Sequence, residues 1–291
     1  MEMKIKTMGF LGMGIMGQPM ARNLLNKGFH LVVWNRDADK CRSLVEAGAL
    51  AEASPAKVVA KTDVTFAMLA DPAAAESVCF GPEGVLEGMK TGKAYVDLST
   101  VDDFTSKNID QAITESGGRY LEAPVSGSKG PAENGQLIIL AAGDRALFDE
   151  LESAFAALAK KSVFLGEVGQ GARMKLVVNM VMGGVMGAFC EGLALGEKCG
   201  LKAEGILEIL AAGAMSNPMF AGKGPQIIAQ NFSPAFPLKH MHKDLRLAGE
   251  LAAQTGQRLD ISLSALRVFD DAMQAGLGDD DFCAVSKTVS D

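Results

Sequence analysis

The sequence has little of what marks a metal, nucleic-acid or secreted protein. Its three histidines, His30, His240 and His242, stand apart from any cysteine cluster, and a His-x-His pair alone is a poor metal site. No metal is expected. The five cysteines (Cys41, Cys79, Cys190, Cys199, Cys283) are odd in number and scattered, with no C-x-x-C pair. They read as buried small hydrophobes in a reducing, cytoplasmic compartment. Basic residues are in deficit: 28 Lys and Arg against 35 Asp and Glu leave a net charge of −7. That balance argues against a general nucleic-acid or membrane-surface binder, while a local basic pocket stays open. The opening MEMKIKTMGFLGMG lacks a long apolar region with a small-residue cleavage site, so no secretory leader is expected. There is no internal repeat and no low-complexity tract.

What the chain does have is length and glycine. Its 291 residues, 48% hydrophobic and 22% charged, suit two globular domains. A chain of this size buries about three quarters of its unfolded surface and needs no staple. Thirty-three glycines without a collagen-like period point to particular turns and close backbone contacts.

The first half alternates β-rich runs with helical stretches. Expected strands are Lys6–Gly12, His30–Arg36, Val64–Leu69, Ala94–Ser99, Tyr120–Val125, Leu137–Ala142 and Ser162–Gly166, with amphipathic segments such as Ile15–Lys27 and Asp102–Gly117 between them. Such repetition predicts a parallel sheet covered by helices on both faces. Beyond about Val168 the pattern turns helical, broken at Gly200, Pro218, Pro234, Pro237 and Gly256. The expected division is an α/β domain over 1–166 and an all-α domain over 167–291, begun by a long connecting helix. Within it, Leu176–Cys190 is apolar nearly all round. At 15 residues, with Asn179 inside and Arg173, Lys175 and Glu191 flanking, it falls short of the roughly 20 a bilayer requires. A buried core helix is expected, with Gly183 and Gly187 letting another helix approach.

The clearest motif is Gly12-Met13-Gly14-Ile15-Met16-Gly17, a G-x-G-x-x-G after a strand and before a helix. The first glycine makes the turn, the second admits a pyrophosphate and the third lets helix and strand pack. Unpaired N–H groups at the helix start then face the phosphates. Pro19 falls where its missing N–H is harmless and Gly28 is a natural C-cap. A dinucleotide site on a Rossmann-type domain follows. About 20 positions after the glycines, where NAD sites carry an acid, stand Asn35 and Arg36. An arginine there binds and stacks over an adenosine 2′-phosphate, which favours NADP. The other reading makes Arg36 a solvated strand-end charge, with Asp37 serving the NAD ribose. Met68 and Leu69, closing the third expected strand, are assigned to the cofactor too.

Three further segments carry candidate chemistry. Asp97–Thr100 closes a strand at the edge where ligands sit in open α/β folds. Glu122–Pro131 is a small-residue loop after a strand, whose N–H groups and hydroxyls suit a carboxylate. In Gly169–Asn179, Lys175 and Asn179 are four apart and share one helix face. A lysine entering a nearly apolar helix is either snorkelling or functional. Beside a dinucleotide loop and a carboxylate loop, the functional reading is preferred, because an ammonium suits protonation of a carbonyl oxygen as hydride reaches its carbon.

FLGMGIMGQPMARNLL, DLST, EAPVSGSKGPAENGQL, GQGARMKLVVNM and FPLKHMHKDLRLA together resemble the β-hydroxyacid dehydrogenase family over essentially the whole chain. The resemblance implies that Lys175 is catalytic, with Asn179 as its helper. It makes Ser126 and Gly127, with Ser128 beside them, the holders of the substrate carboxylate. Thr100 is expected near the nicotinamide, Lys243 closing on the cofactor, and Phe236 and Asp244 lining the site from the helical domain. SGSKGPAENGQL and AFPLKHMHKDLRLA look most like glyoxylate/succinic semialdehyde reductases. The implied reaction is NADPH-dependent reduction of a small aldehyde acid, in a homodimer or homotetramer built through the helical domain. Asp37 departs from the pattern, since NADP-preferring members often carry Thr or Ser after Asn-Arg.

Two other readings are weighed. One is a 3-hydroxyisobutyrate or tartronate semialdehyde enzyme with the same machinery, since a methylene of pocket preference is worth only about 1–3 kcal/mol. The other is a non-catalytic cofactor-sensing protein on the same fold. Such a protein would be free to lose Lys175, Asn179 and Ser126, all of which are present.

Overall fold

The computed structural model describes residues 7–289, so Lys6 of the first expected strand lies outside the described residues. The chain divides into two compact units, Met1–Lys175 and Leu176–Asp291. The division falls inside one continuous helix, Gln170–Lys198, rather than at its start.

In the first unit nine strands form one sheet: β1 (Thr7–Leu11), β2 (His30–Trp34), β3 (Leu50–Ala51), β4 (Val64–Ala67), β5 (Ala94–Asp97), β6 (Arg119–Glu122), β7 (Val125–Ser126), β8 (Leu137–Gly143) and β9 (Ala159–Phe164). Their order is β3-β2-β1-β4-β5-β6-β8-β7, with β9 paired to β8. Six strands from β3 to β6 run parallel, in the order of a full Rossmann-type sheet. The sheet is parallel as expected up to β6 and changes direction beyond it. There β8 runs antiparallel to both β6 and β7, because the ten-residue connection Gly127–Gln136, with the one-turn helix Lys129–Glu133 inside it, is too short for a crossover and returns the chain beside β7.

Several expected strands are also too long. Those ending at Arg36, Leu69 and Ser99 stop at Trp34, Ala67 and Asp97, where the backbone leaves the ladder for loops. The run expected over Tyr120–Val125 is two strands, and the one at Ser162–Gly166 begins at Ala159 and ends at Phe164. Period-two alternation sends successive residues to opposite faces. Phe10, Val33 and Val96 enter one core, while Leu11, Val32 and Tyr95 enter the other. The glycine-loop helix spans Gly17–Asn26 and closes at Gly28 with φ +96°.

The second unit is helical, with Ala203–Ala212, Pro218–Ile228, Leu238–Thr255 and Asp260–Gln274 joining the rest of the long helix. Met186, Phe189 and Cys190 from that helix, with Met241, Leu245, Phe269 and Phe282, make its core. A Cβ on Gly183 would stand 2.9 Å from Met241 Sδ, so this glycine sets a close helix crossing, while Gly187 sits in ordinary contact with Ala265. The length argument against a membrane span is corrected. The helix has 29 residues and is long and apolar enough to cross one, and 44% of its most apolar window is buried within the protein.

Candidate functional site

Trp34 aligns with Leu11, Leu11 with Ala67, Ala67 with Asp97 and Asp97 with Glu122, one row straight across five parallel strands. The loops that follow therefore leave the sheet along one carboxyl edge. They carry Asn35 and Arg36, the Gly12–Gly17 loop, Met68 and Leu69, and Ser99 and Thr100, while Ser126–Ser128 stand at the end of β7.

The three loop glycines have three different physical reasons. Gly12 has φ +95°, and a Cβ there would stand 2.3 Å from Met68 O. A Cβ on Gly17 would stand 1.9 Å from Gly12 O, so this glycine lets the helix close on the turn. At Gly14 a Cβ would meet no protein atom within 4 Å. No packing requires that glycine, and the open space suits the approach of a pyrophosphate to its backbone. The residues present thus fit a dinucleotide. Met13 is buried in the core, whereas Ile15 is exposed and Met16 half-buried.

Asn35 ties this loop to the next one. Its Oδ1 accepts from Met13 N–H at 2.9 Å and its Nδ2 donates to Asp37 O at 2.8 Å. Arg36 is exposed at the end of β2. The Asp37 carboxylate accepts from Asp39 N–H at 3.2 Å and caps the turn Ala38–Cys41. Leu69 N–H donates to Ser99 Oγ, and Ser99 N–H to Asp97 Oδ1, each at 2.9 Å, so buried Asp97 and Ser99 brace the loop bearing Met68 and Leu69. Thr100 follows, half-buried. Gly127 has φ +135°, and a Cβ there would press on Leu137 and Pro131. It lies exposed between half-buried Ser126 and Ser128.

Lys175 is 5% exposed, in the second turn of Gln170–Lys198. The start of that helix is held by an acid from the first unit's sheet. Glu122, 2% exposed at the end of β6, accepts from Gly169 N–H at 2.7 Å and Gly171 N–H at 2.8 Å, both on Oε1. Burial pushes its carboxyl up, opposed by hydrogen bonds from Ser106 and from the Gly171 and Gly169 N–H groups. Its signal in the sequence was an acid directly after the apolar pair Tyr120-Leu121.

Within the second unit, three assigned residues form one buried knot. Asn179 Nδ2 donates to Asp244 Oδ2 at 2.6 Å, and Lys243 Nζ lies 3.0 Å from Asp244 Oδ1. Phe236 is held elsewhere in that unit by its N–H, which donates to Asp281 Oδ2 at 3.1 Å. Asp281 is fully buried and pairs with Lys223 at 2.7 Å, an anchor the sequence did not announce. Among the described residues no cluster of three or more His, Cys, Asp or Glu side chains is placed to hold a metal.

Comparison with known proteins gives the family of each unit. Residues 7–166 match the NAD binding domain of 6-phosphogluconate dehydrogenase, and residues 169–289 the NAD-binding family of NADP-dependent 3-hydroxyisobutyrate dehydrogenase. The chain is 55% identical to glyoxylate/succinic semialdehyde reductase 1 of Arabidopsis thaliana over 97% of both. It is 44% identical to the human cytokine-like nuclear factor N-PAC, covering 96% of this chain and 51% of that one. The crystal structure of 3-hydroxyisobutyrate dehydrogenase from Salmonella typhimurium superposes with a TM-score of 0.90 at 27% identity, over 97% of this chain and 99% of that one. A glycine cradle at the carboxyl edge of a Rossmann-type sheet, with these matches over both units, defines a nicotinamide-dependent oxidoreductase. The chain belongs to the β-hydroxyacid dehydrogenase family, and its sequence is similar to the glyoxylate/succinic semialdehyde reductases.

Proposed function

We propose that this protein reduces small aldehyde acids, glyoxylate and succinic semialdehyde foremost, with NADPH. The observation that carries the reading is the buried Lys175 ammonium, whose helix starts on the same sheet edge as the Gly14 cradle. The cofactor when bound supplies the hydride. The chain's own residues bind, orient and protonate. The Gly12–Gly17 backbone, Met68, Leu69 and Thr100 hold the cofactor, with Arg36 on the 2′-phosphate. One oxygen of the Asp37 carboxylate is turned to the Asp39 N–H, and Arg36 stands exposed beside it as the anion partner, which supports NADP over NAD. Ser126, Gly127 and Ser128 take the substrate carboxylate. Lys175, helped by Asn179, delivers a proton to the aldehyde oxygen as the carbon is reduced. Holding both reactants in line replaces a bimolecular encounter by an oriented one. Lys243 is assigned to the cofactor, and Asp244 and Phe236 to the substrate.

In this reading 1–166 is the cofactor domain and 167–291 the substrate and dimerisation domain. Met174, Val177, Val178 and Val181 form one exposed apolar stripe on the long helix, which supports a homodimer or homotetramer. Five free cysteines support a reducing, cytoplasmic location. The Salmonella likeness favours a second reading, 3-hydroxyisobutyrate chemistry.

One experiment tests these together: kcat/KM for glyoxylate, succinic semialdehyde, methylmalonate semialdehyde and tartronate semialdehyde, with NADPH and NADH in parallel, for wild type and Lys175→Met. The expected result is highest turnover of the first two with NADPH and at least a ~100-fold loss in Lys175→Met, the scale of general acid catalysis. Wild-type activity in Lys175→Met would overturn the mechanism. No turnover of any aldehyde by wild type would point to a cofactor-sensing protein instead.

A further inference from the structure

Resting on the assignment of Lys175 as proton donor, we propose that Glu122 is its positioning residue: the carboxylate fastens the first turn of the Gln170–Lys198 helix to the end of β6 and so sets where the amine stands. Two N–H groups converge on Oε1, from Gly169 at 2.7 Å and Gly171 at 2.8 Å. Oε2 accepts from Ser106 Oγ at 2.5 Å, and that hydroxyl also meets Tyr120 OH at 3.0 Å. These bonds tie the carboxylate to the helix start on one side and to Ser106 on the other.

The two glycines are what permit the convergence. Gly169 has φ +101°, a conformation that side-chain-bearing residues rarely adopt. A Cβ on Gly171 would stand 2.5 Å from Leu140 O and 3.1 Å from Glu122 Oε1. The anion sits where a helix has unpaired donors and the positive end of its dipole, which strengthens the tie. A second tether limits rotation of the turn: Arg173 donates to Asp103 Oδ2 at 2.6 Å. Lys175 follows Gly171 by four residues, one helical turn, so displacement of the start is handed directly to the amine.

The test compares kcat and KM for NADPH and glyoxylate in Glu122→Met and Glu122→Gln. Methionine keeps the volume but removes both acceptors; glutamine keeps an oxygen for the two N–H groups. Two unsatisfied buried donors predict a fall in kcat of roughly 10- to 100-fold in Glu122→Met. The KM for NADPH should stay within about two-fold, and Glu122→Gln should recover kcat to within about three-fold, because the glycine loop is untouched and the acceptor is restored. If Glu122→Met does not fold, Gly171→Ala carries the test: its Cβ pushes the turn off an intact Glu122, and the same loss confined to kcat is expected. Wild-type kcat, a loss that falls on the NADPH KM, or a glutamine variant as impaired as methionine would overturn the inference. Lys175→Met, run in parallel, separates the two readings. If it keeps the wild-type rate, the proton-donor assignment fails and this inference with it. If it loses the rate while Glu122→Met keeps it, the positioning inference alone fails.

Discussion

Replacing Gly14 by alanine separates two reasons for a chain to keep a glycine. The position lies outside the left-handed region, and a Cβ there would meet nothing within 4 Å. The folded apoprotein should therefore gain from a stiffer unfolded chain, by about 0.4–1 kcal/mol. For a unit of this size that is a rise in Tm of roughly 1–4 °C. The cofactor meets the opposite effect. A methyl where the pyrophosphate approaches forfeits a hydrogen bond to a charged group, worth about 1.5–3 kcal/mol. The Kd for NADPH should rise roughly 10- to 100-fold. Thermal unfolding of the apoprotein and fluorescence titration with NADPH read the two effects separately. Gly17→Ala is the contrast, since its Cβ would stand 1.9 Å from Gly12 O and should damage stability and binding together. Wild-type affinity in Gly14→Ala would mean that the cofactor does not approach Gly14, and a Tm several degrees lower would mean that the position is not open to a Cβ; either refutes the reasoning.

Arg36→Ala should raise the KM for NADPH at least ~10-fold and leave that for NADH nearly unchanged, the loss of one charge-assisted phosphate contact; equal effects in parallel kinetics would remove the argument. Arg119 grips Asp144 through Nε at 2.7 Å and Nη2 at 3.1 Å, which holds that carboxyl below its ordinary 3.8. A lowered carboxylate stabilises the fold above its unfolded value and loses that contribution as pH falls through the folded one. Urea unfolding between about pH 5 and pH 3 should therefore show a flatter decline in Arg119→Met than in wild type. Asp281→Asn leaves the Lys223 ammonium facing a neutral partner in a buried site and should destabilise the helical unit by about 3–5 kcal/mol, read by urea titration. An unchanged midpoint would mean that the pair carries no net stability.

Much of the first unit was legible because its signals are local. Gly12–Gly17 sits between an apolar strand and an amphipathic helix, and each of its glycines answers a contact or an opening in the fold. Strand ends were less legible. His30–Trp34 and Asn35-Arg36 are continuous as a pattern, and only the ladder decides that pairing stops at Trp34. The antiparallel turn of β8 was hidden for a related reason, since an apolar run such as Leu137–Gly143 does not state its direction. Anchors from distant parts of the chain were out of reach. Glu122 meets glycines 47 and 49 positions away, and Asp281 meets Ala235 and Phe236 across 46 and 45. The length of the long helix was misjudged because hydropathy marks its apolar middle and not its polar ends.

The compact units part between Lys175 and Leu176 without a loop, inside an unbroken run of helical hydrogen bonds. A chain cut there would expose the last carbonyls of a truncated helix, and the frayed turn would be the one that bears the amine. Anyone splitting this protein into fragments for reassembly should let both pieces carry Gln170–Asn179. The same holds for grafting a foreign helical half onto this nucleotide-binding one, where the seam belongs well past residue 179.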